Sequence, residues 1–239
     1  MNIIQHPLKF WDERPQCIDT IVFHCSAYEL EEMIEVLQDS KLSAHYIIGT
    51  DGKIVQLVPE EKRAWHAGVS FWRGAENINH RSIGIELSSP TMGQNEYTKI
   101  QIQNLCRLCK DIMMRHPAII PQNIVAHSDI APSRKPDPGR AFPWQWLAAK
   151  GIGLWYNVED AAYMQNFSVE SLLNIIGYNT TDLPAAKYAF CRHFAPQVIP
   201  FEANIRKVID EVYPADFVLL PEIVQILRAV AYRYLNYQN

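Results

Sequence analysis

Between His127 and Trp144 the chain reads HSDIAPSRKPDPGRAFPW, and this stretch carries His127, Asp129, Lys135 and Asp137 among prolines and a glycine. Such punctuation marks a loop, and loops held on a rigid scaffold are where binding and catalytic groups concentrate. A second imidazole, His24, closes the apolar run IDTIVFH (Ile18–His24), and a carboxylate, Glu86, stands near the end of SIGIELS (Ser82–Ser88). Two histidines and one carboxylate with an open fourth position form a common catalytic zinc set, and imidazole and carboxylate donors suit Zn²⁺. Such a set would activate water. Zinc lowers the pKa of water from about 15.7 to about 7, a nearby base such as Glu86 takes the proton, and a cation such as Lys135 steadies the oxyanion. Spacing alone leaves both readings open. A strand-end histidine is more often structural, Glu86 more readily a solvated carboxylate, and Lys135 more readily an exposed loop cation.

The elements that must position these groups are visible in the pattern. Ile18–His24, Ser82–Ser88 and Asn123–His127 are β-branched-rich and read as strands. Tyr46–Thr50 and Lys53–Val58 flank Asp51-Gly52, a two-residue hairpin signal. Leu30–Leu37 reads as a helix, and so does Thr98–His116. In the latter Ile102, Leu105, Cys109 and Ile112 recur at helical spacing, Thr98 and Gln101 form a capping box, and Pro117 marks the stop. Strands interleaved with helices predict an α/β fold with a mixed central β-sheet flanked by helices. Beyond Trp155 only helices are expected: Ser168–Ile176 ended by Gly177, a second from Pro184 to Phe194, then Ala203–Tyr213 and Pro221–Tyr237. The reading is therefore two domains, residues 1–157 and a small all-α domain over 158–239. A chain ending near Asn157 is expected to fold and keep some activity.

Composition sets the outer bounds. With 239 residues, 48% hydrophobic and 20% charged, the chain is ordinary globular protein, and a net charge of −4 offers no basic footprint for nucleic acid. No apolar run approaches the ~18 residues of a membrane span. Met1–Trp11 lacks the features of a signal peptide, and five sparse cysteines suit free thiols in a reducing compartment. Both point to the cytoplasm, with the periplasm or envelope as the alternative if a leader was removed. No sustained heptad seam indicates an oligomeric state.

The order of several segments carries a resemblance. IVFHCSA (Ile21–Ala27), SAHYIIGTDGKIVQLVP (Ser43–Pro59), RAWHAG (Arg63–Gly68), SIGIEL (Ser82–Leu87) and AHSDIAPSRKPDPG (Ala126–Gly139) together resemble the zinc-dependent N-acetylmuramoyl-L-alanine amidases of the second amidase family, relatives of the peptidoglycan-recognition proteins. The resemblance implies one Zn²⁺ per chain held by His24, His127 and Asp137, with Glu86 as general base or acid and Lys135 at the oxyanion. It implies a muropeptide or peptidoglycan substrate, cut between N-acetylmuramic acid and L-alanine. The alternative is a binding module without turnover, but the full zinc set is present. DIAPSRKPDPGRAF (Asp129–Phe142) resembles the branch acting on 1,6-anhydro-muropeptides.

Weaker expectations attach to other residues. His66 is expected to line the substrate cleft, Tyr46 to be either a substrate contact or a polar core residue, and Arg63 either to grip a peptide-stem carboxylate in a bidentate fork or to be a surface arginine. Asp129 is expected to cap or brace its loop, and Cys106 and Cys109 to face the core. Phe167–Pro196 resembles a small three-helix peptidoglycan-binding-like module, through LLNIIGY and AFCRHF. Ile199–Ile205 (IPFEANI) departs from that module's pattern.

Overall fold

The strand Thr20–Ser26 alternates two environments, and the rest of the fold follows from that alternation. The computed structural model describes residues 2–237. Its strands are β1 (Ile3–Gln5), β2 (Trp11–Glu13), β3 (Thr20–Ser26), β4 (Tyr46–Ile48), β5 (Ile54–Gln56), β6 (Lys62–Ala64), β7 (Phe71–Trp72), β8 (Ala75–Glu76), β9 (Ser82–Ser88) and β10 (Ile124–Ala126). Its α-helices are α1 (Leu30–Asp39), α2 (Lys99–Arg115), α3 (His127–Ile130), α4 (Trp144–Ala148), α5 (Val169–Ile176), α6 (Leu183–Phe194), α7 (Ile205–Asp210) and α8 (Pro221–Asn236). The main sheet has the order β1-β5-β4-β9-β3-β10, parallel except for the antiparallel hairpin β4–β5. This is the expected mixed sheet flanked by helices. The short β1, β2, β6, β7 and β8 lie outside any sequence pattern long enough to show them.

Because side chains alternate across a strand, β3, β9 and β10 divide their residues between two faces. Ile21, Phe23, Ile83, Ile85, Leu87, Ile124 and Ala126 join one buried cluster, closed by Leu105, Cys106, Cys109 and Ile112 of α2 and Trp144 and Leu147 of α4. The two cysteines of α2 are therefore core thiols, as expected. Thr98 caps α2 by accepting the Gln101 N–H at 3.3 Å, but the Gln101 amide does not reach back. It donates instead to the carbonyls of Ile48 and Ser88, both at 3.0 Å, and fastens α2 across two strands.

The other face is covered in two patches. Leu30, Met33 and Leu37 of α1 pack on Ile47 and Val55. Val22 and Val125 instead lie under the C-terminal helices, in one cluster with Trp72, Ile78, Leu172, Phe190, Phe194, Leu227 and Tyr234. Residues before and after Asn157 thus share a continuous core. Between the two patches this face carries the buried His24 and Gly84 and the partly buried Glu86.

The helices beyond Asn157 begin and end where the residues dictate. Ser168 and Asp182 cap α5 and α6 through the Ser171 and Ala185 N–H groups, both at 3.1 Å, and Gly177 ends α5 at a φ of +130°. The helix expected over Ala203–Tyr213 is only α7, because the Asn204 side chain caps at Arg206 and Lys207 and starts it late. Among the described residues no helix is long and apolar enough to cross a membrane.

Candidate active site

Parallel pairing sets His24 directly opposite Glu86, so both side chains leave the sheet on the uncovered face. The third strand, β10, ends at Ala126, and His127 opens α3 beside them. Asp137 arrives from the following loop. Ser128 N–H donates to the Asp137 carbonyl at 2.9 Å, which closes that loop on itself. Two glycines let it lie flat: a Cβ on Gly93 would meet the Pro138 carbonyl at 1.8 Å, and one on Gly139 the Met92 carbonyl at 2.5 Å. Both have positive φ, +66° and +87°.

Three lone-pair atoms converge in consequence. His24 Nδ1 lies 2.9 Å from His127 Nδ1 and 3.4 Å from Asp137 Oδ2, and His127 Nδ1 lies 3.0 Å from Asp137 Oδ2. Zn–N distances of ~2.0–2.1 Å in a tetrahedral site would space donor atoms by about 3.3 Å, so the set fits a small tetrahedral cation. Among the described residues it is a buried group of three that could hold a metal. Burial, then the neighbouring His127, lowers His24 to about 4, which keeps its ring neutral near pH 7. Burial alone would raise Asp137, but His127 and His24 hold it well below the usual carboxylate range.

The segment RAWHAG fixes both imidazoles. His24 Nε2 lies 2.9 Å from His66 Nδ1, His66 Nε2 lies 3.3 Å from Ser82 Oγ, and the Ser82 hydroxyl donates to the Ile78 carbonyl at 2.7 Å. His127 Nε2 lies 3.2 Å from the Ala67 carbonyl. The proton directions consistent with this chain place N–H on each ligand's Nε2 and leave both Nδ1 lone pairs free for a metal. Partners of this kind orient metal-binding histidines. His66 does reach the cleft, but its main contact is His24. The ring is seated against Gly84: a Cβ there would meet His66 Cγ at 2.4 Å. Gly84→Ala is therefore expected to push His66 off His24 and weaken Zn²⁺ binding by ~10–100-fold, measured by chelator competition. In a His66→Ala background, where the space is free, the same change should add little.

Glu86 and Lys135 border the same cleft, about 330 Å³ in volume, together with His66, His127 and Asp137. Glu86 Oε1 is 4.0 Å from His24 Nδ1, and its Oε2 is buried without a hydrogen-bond partner. Burial, then the Asp137 charge, raises the Glu86 carboxyl to about 8. Lys135 is half-buried and makes no ion pair among the described residues. Ile209 of α7 also lines this cleft, so the C-terminal region contributes to its wall.

Two expected substrate contacts fall elsewhere. Arg63 pairs in a bidentate fork with Asp12, across β2 and β6, so its guanidinium is already engaged and it does not line the cleft. Tyr46 is 2% exposed on the α2 face, and its hydroxyl donates to Glu60 at 2.7 Å. The alternation of β4 turns it away from the site. Arg134 went unnoticed in the sequence. It donates to the carbonyls of Ala67 and Val69 and clamps the RAWHAG segment to the metal-site loop.

A family model described as N-acetylmuramoyl-L-alanine amidase matches residues 13–140. The chain belongs to that amidase family. It is 38% identical over 217 residues to the N-acetylmuramoyl-L-alanine amidase AmiD of Escherichia coli, covering 78% of each protein. It is 50% identical over 103 residues to the 1,6-anhydro-N-acetylmuramyl-L-alanine amidase AmpD of Enterobacter cloacae, covering 43% of this chain and 54% of that protein. The solved complex of E. coli AmiD with anhydro-N-acetylmuramic acid-L-Ala-D-γ-Glu-L-Lys superposes with a TM-score of 0.73 and 33% identity, over 92% of this chain and 91% of that one. The similarity to AmiD thus includes the helices beyond Asn157, whereas the family model ends before them. The chain is accordingly an amidase in which the family-matched residues 13–140 share their core with the helices that follow.

Proposed function

We propose that this amidase hydrolyses the bond between the lactyl group of N-acetylmuramic acid and L-alanine, with one Zn²⁺ held by His24, His127 and Asp137. The observation that carries the reading is the convergence of three donor atoms beside an unpartnered Glu86 oxygen at the floor of one cleft. When bound, zinc supplies Lewis acidity to a carbonyl oxygen and to water. The protein's own groups do the rest. Glu86 takes a proton from the water whose oxygen attacks the lactyl carbonyl carbon. The Lys135 ammonium faces the oxyanion that develops there. As the C–N bond breaks, Glu86 returns its proton to the departing alanine nitrogen, so the products are a free peptide amine and a lactyl carboxylic acid, which then loses its proton to solvent. His66 and Ala67 keep both ligand rings in the required orientation throughout.

Metal analysis by mass spectrometry is expected to find one zinc per chain, and His24→Ala should lose both the metal and the activity. Zinc retained in His127→Ala or Asp137→Ala would remove those ligand assignments.

The preferred substrate in this reading is a soluble 1,6-anhydro-muropeptide. Support comes from the likeness to AmpD and from the anhydro ligand in the AmiD complex. Contacts to a single ring feature are worth about 1–3 kcal/mol, or ~10–200-fold. Comparing kcat/KM for anhydro and reducing forms of one muropeptide tests this, and equal values would remove the preference. Rapid digestion of intact sacculi would instead place the activity on the polymer.

A further inference from the structure

Asp129 lies two residues after the ligand His127 and is fully buried, with 0% exposure. Its carboxylate is held from two parts of the chain. Oδ2 accepts the Ala126 N–H at 2.8 Å, which fixes the backbone that delivers His127. The same oxygen lies 2.7 Å from Nδ1 of His193 in α6, and Oδ1 accepts the Tyr178 hydroxyl at 2.6 Å. Two of its three partners therefore come from beyond Asn157. They are themselves fixed: the His193 ring stacks on Trp144 at 3.7 Å and on Phe194 at 3.9 Å, and Tyr178 packs edge-on against Trp72 at 5.1 Å. A carboxylate buried this deeply is stable only when hydrogen-bonded, so removing either donor forces it to seek another partner and to pull on Ala126.

We propose that His193 and Tyr178 are positioning residues for the metal site, acting through Asp129 on the backbone of His127. The helical region then sets metal affinity in the same chain, apart from any contact it makes with glycan. This rests on the zinc assignment proposed above. A neutral surface region tethered for wall binding would have no reason to donate into the base of the catalytic loop.

Three substitutions separate this from simple packing. His193→Phe keeps a stacking ring and removes the donor. His193→Asn keeps a donor near the Nδ1 position and removes most of the ring. Tyr178→Phe removes one hydroxyl. The full-length variants are compared for Zn²⁺ affinity by chelator competition, for kcat and KM separately, and for the unfolding temperature of the metal-free protein. Outer partners of ligands change affinity by ~10–100-fold, and a group one step further out belongs at about tenfold. His193→Phe and Tyr178→Phe should each lose about tenfold in Zn²⁺ affinity and in kcat, with KM within twofold, and His193→Asn should recover most of that loss. Unchanged metal affinity and kcat in His193→Phe and Tyr178→Phe, with only the unfolding temperature lowered, would overturn the proposal. So would equal losses in His193→Asn and His193→Phe. If the unsubstituted protein binds no zinc, the metal assignment itself fails, and this proposal falls with it.

Discussion

Glu86→Gln is expected to keep its zinc and lose ~10²–10⁴-fold in kcat, the usual contribution of a positioned general base. Glutamine fills the same space beside His24, so metal analysis should still find one equivalent and KM should move little. The same substitution should stabilise the metal-free protein at alkaline pH. Burial and Asp137 hold the Glu86 carboxyl at about 8 in the folded chain, against about 4.3 when unfolded. The proton it keeps is favourable to folding below the unfolded value, and that stability is lost as pH rises from about 4.3 through about 8. The amide has no proton to lose. Thermal melts of the metal-free proteins should therefore nearly coincide at pH 4.5, and the variant should melt higher by roughly 10–20 °C at pH 8.5. A variant with unaltered kcat would end the assignment of Glu86 as base. Coincident melts at pH 8.5 would show that its carboxylate ionises there without cost.

Ending the chain at Asn157 should prevent cooperative folding. The cut uncovers Val22, Val125, Trp72, Ile78 and Ile130, all buried in the cluster shared with α5, α6 and α8. At ~1.5–3 kcal/mol for each large apolar side chain, the loss is about 8–15 kcal/mol, comparable to the ~5–15 kcal/mol that stabilises a typical domain. Asp129 would also lose two of its three partners. The shortened protein should show no sharp thermal transition, weak near-ultraviolet circular dichroism and no stoichiometric zinc. A soluble product with a sharp transition near that of the full chain would show that the sheet face tolerates water and that the helical region is an accessory.

The residues proposed as ligands stand out because each carries its chemistry in a short segment: His24 at a strand end, and His127 and Asp137 at either end of one proline-rich loop. Glu86 was legible by resemblance, but its place across from His24 depends on the parallel register of β3 and β9, which neither strand specifies alone. The failures have the same origin. Tyr46 sits one residue before Ile47, and in a strand that single step exchanges the site-bearing face for the core. Arg63 was read without its partner because Asp12 lies on a three-residue strand too short to show a pattern. His66 was placed at the cleft but not as the brace of His24, since that role needs the space left by Gly84 on a different strand. Asp129 was rightly expected to brace its loop. That its donors come from His193 and Tyr178 is a tertiary fact with no local signal. The same holds for the domain boundary: the change from strands to helices near Asn157 is real in the chain, but the apolar core runs straight across it.

The continuity of that core also bears on how the protein is made. Val22 and Val125 belong to one buried cluster with side chains as distant as Leu227 and Tyr234, and Trp72 meets the Tyr234 ring at 6.5 Å. During synthesis at ~5–20 residues per second, roughly 5–20 s separate the emergence of Val125 from that of α8. Through that interval Val22 and Val125, on the face that α1 covers only in part, lack their C-terminal partners. Folding of the catalytic unit is thus completed only once α8 has emerged, and the interval before that is when a holding chaperone, or a neighbouring nascent chain, meets its exposed surface.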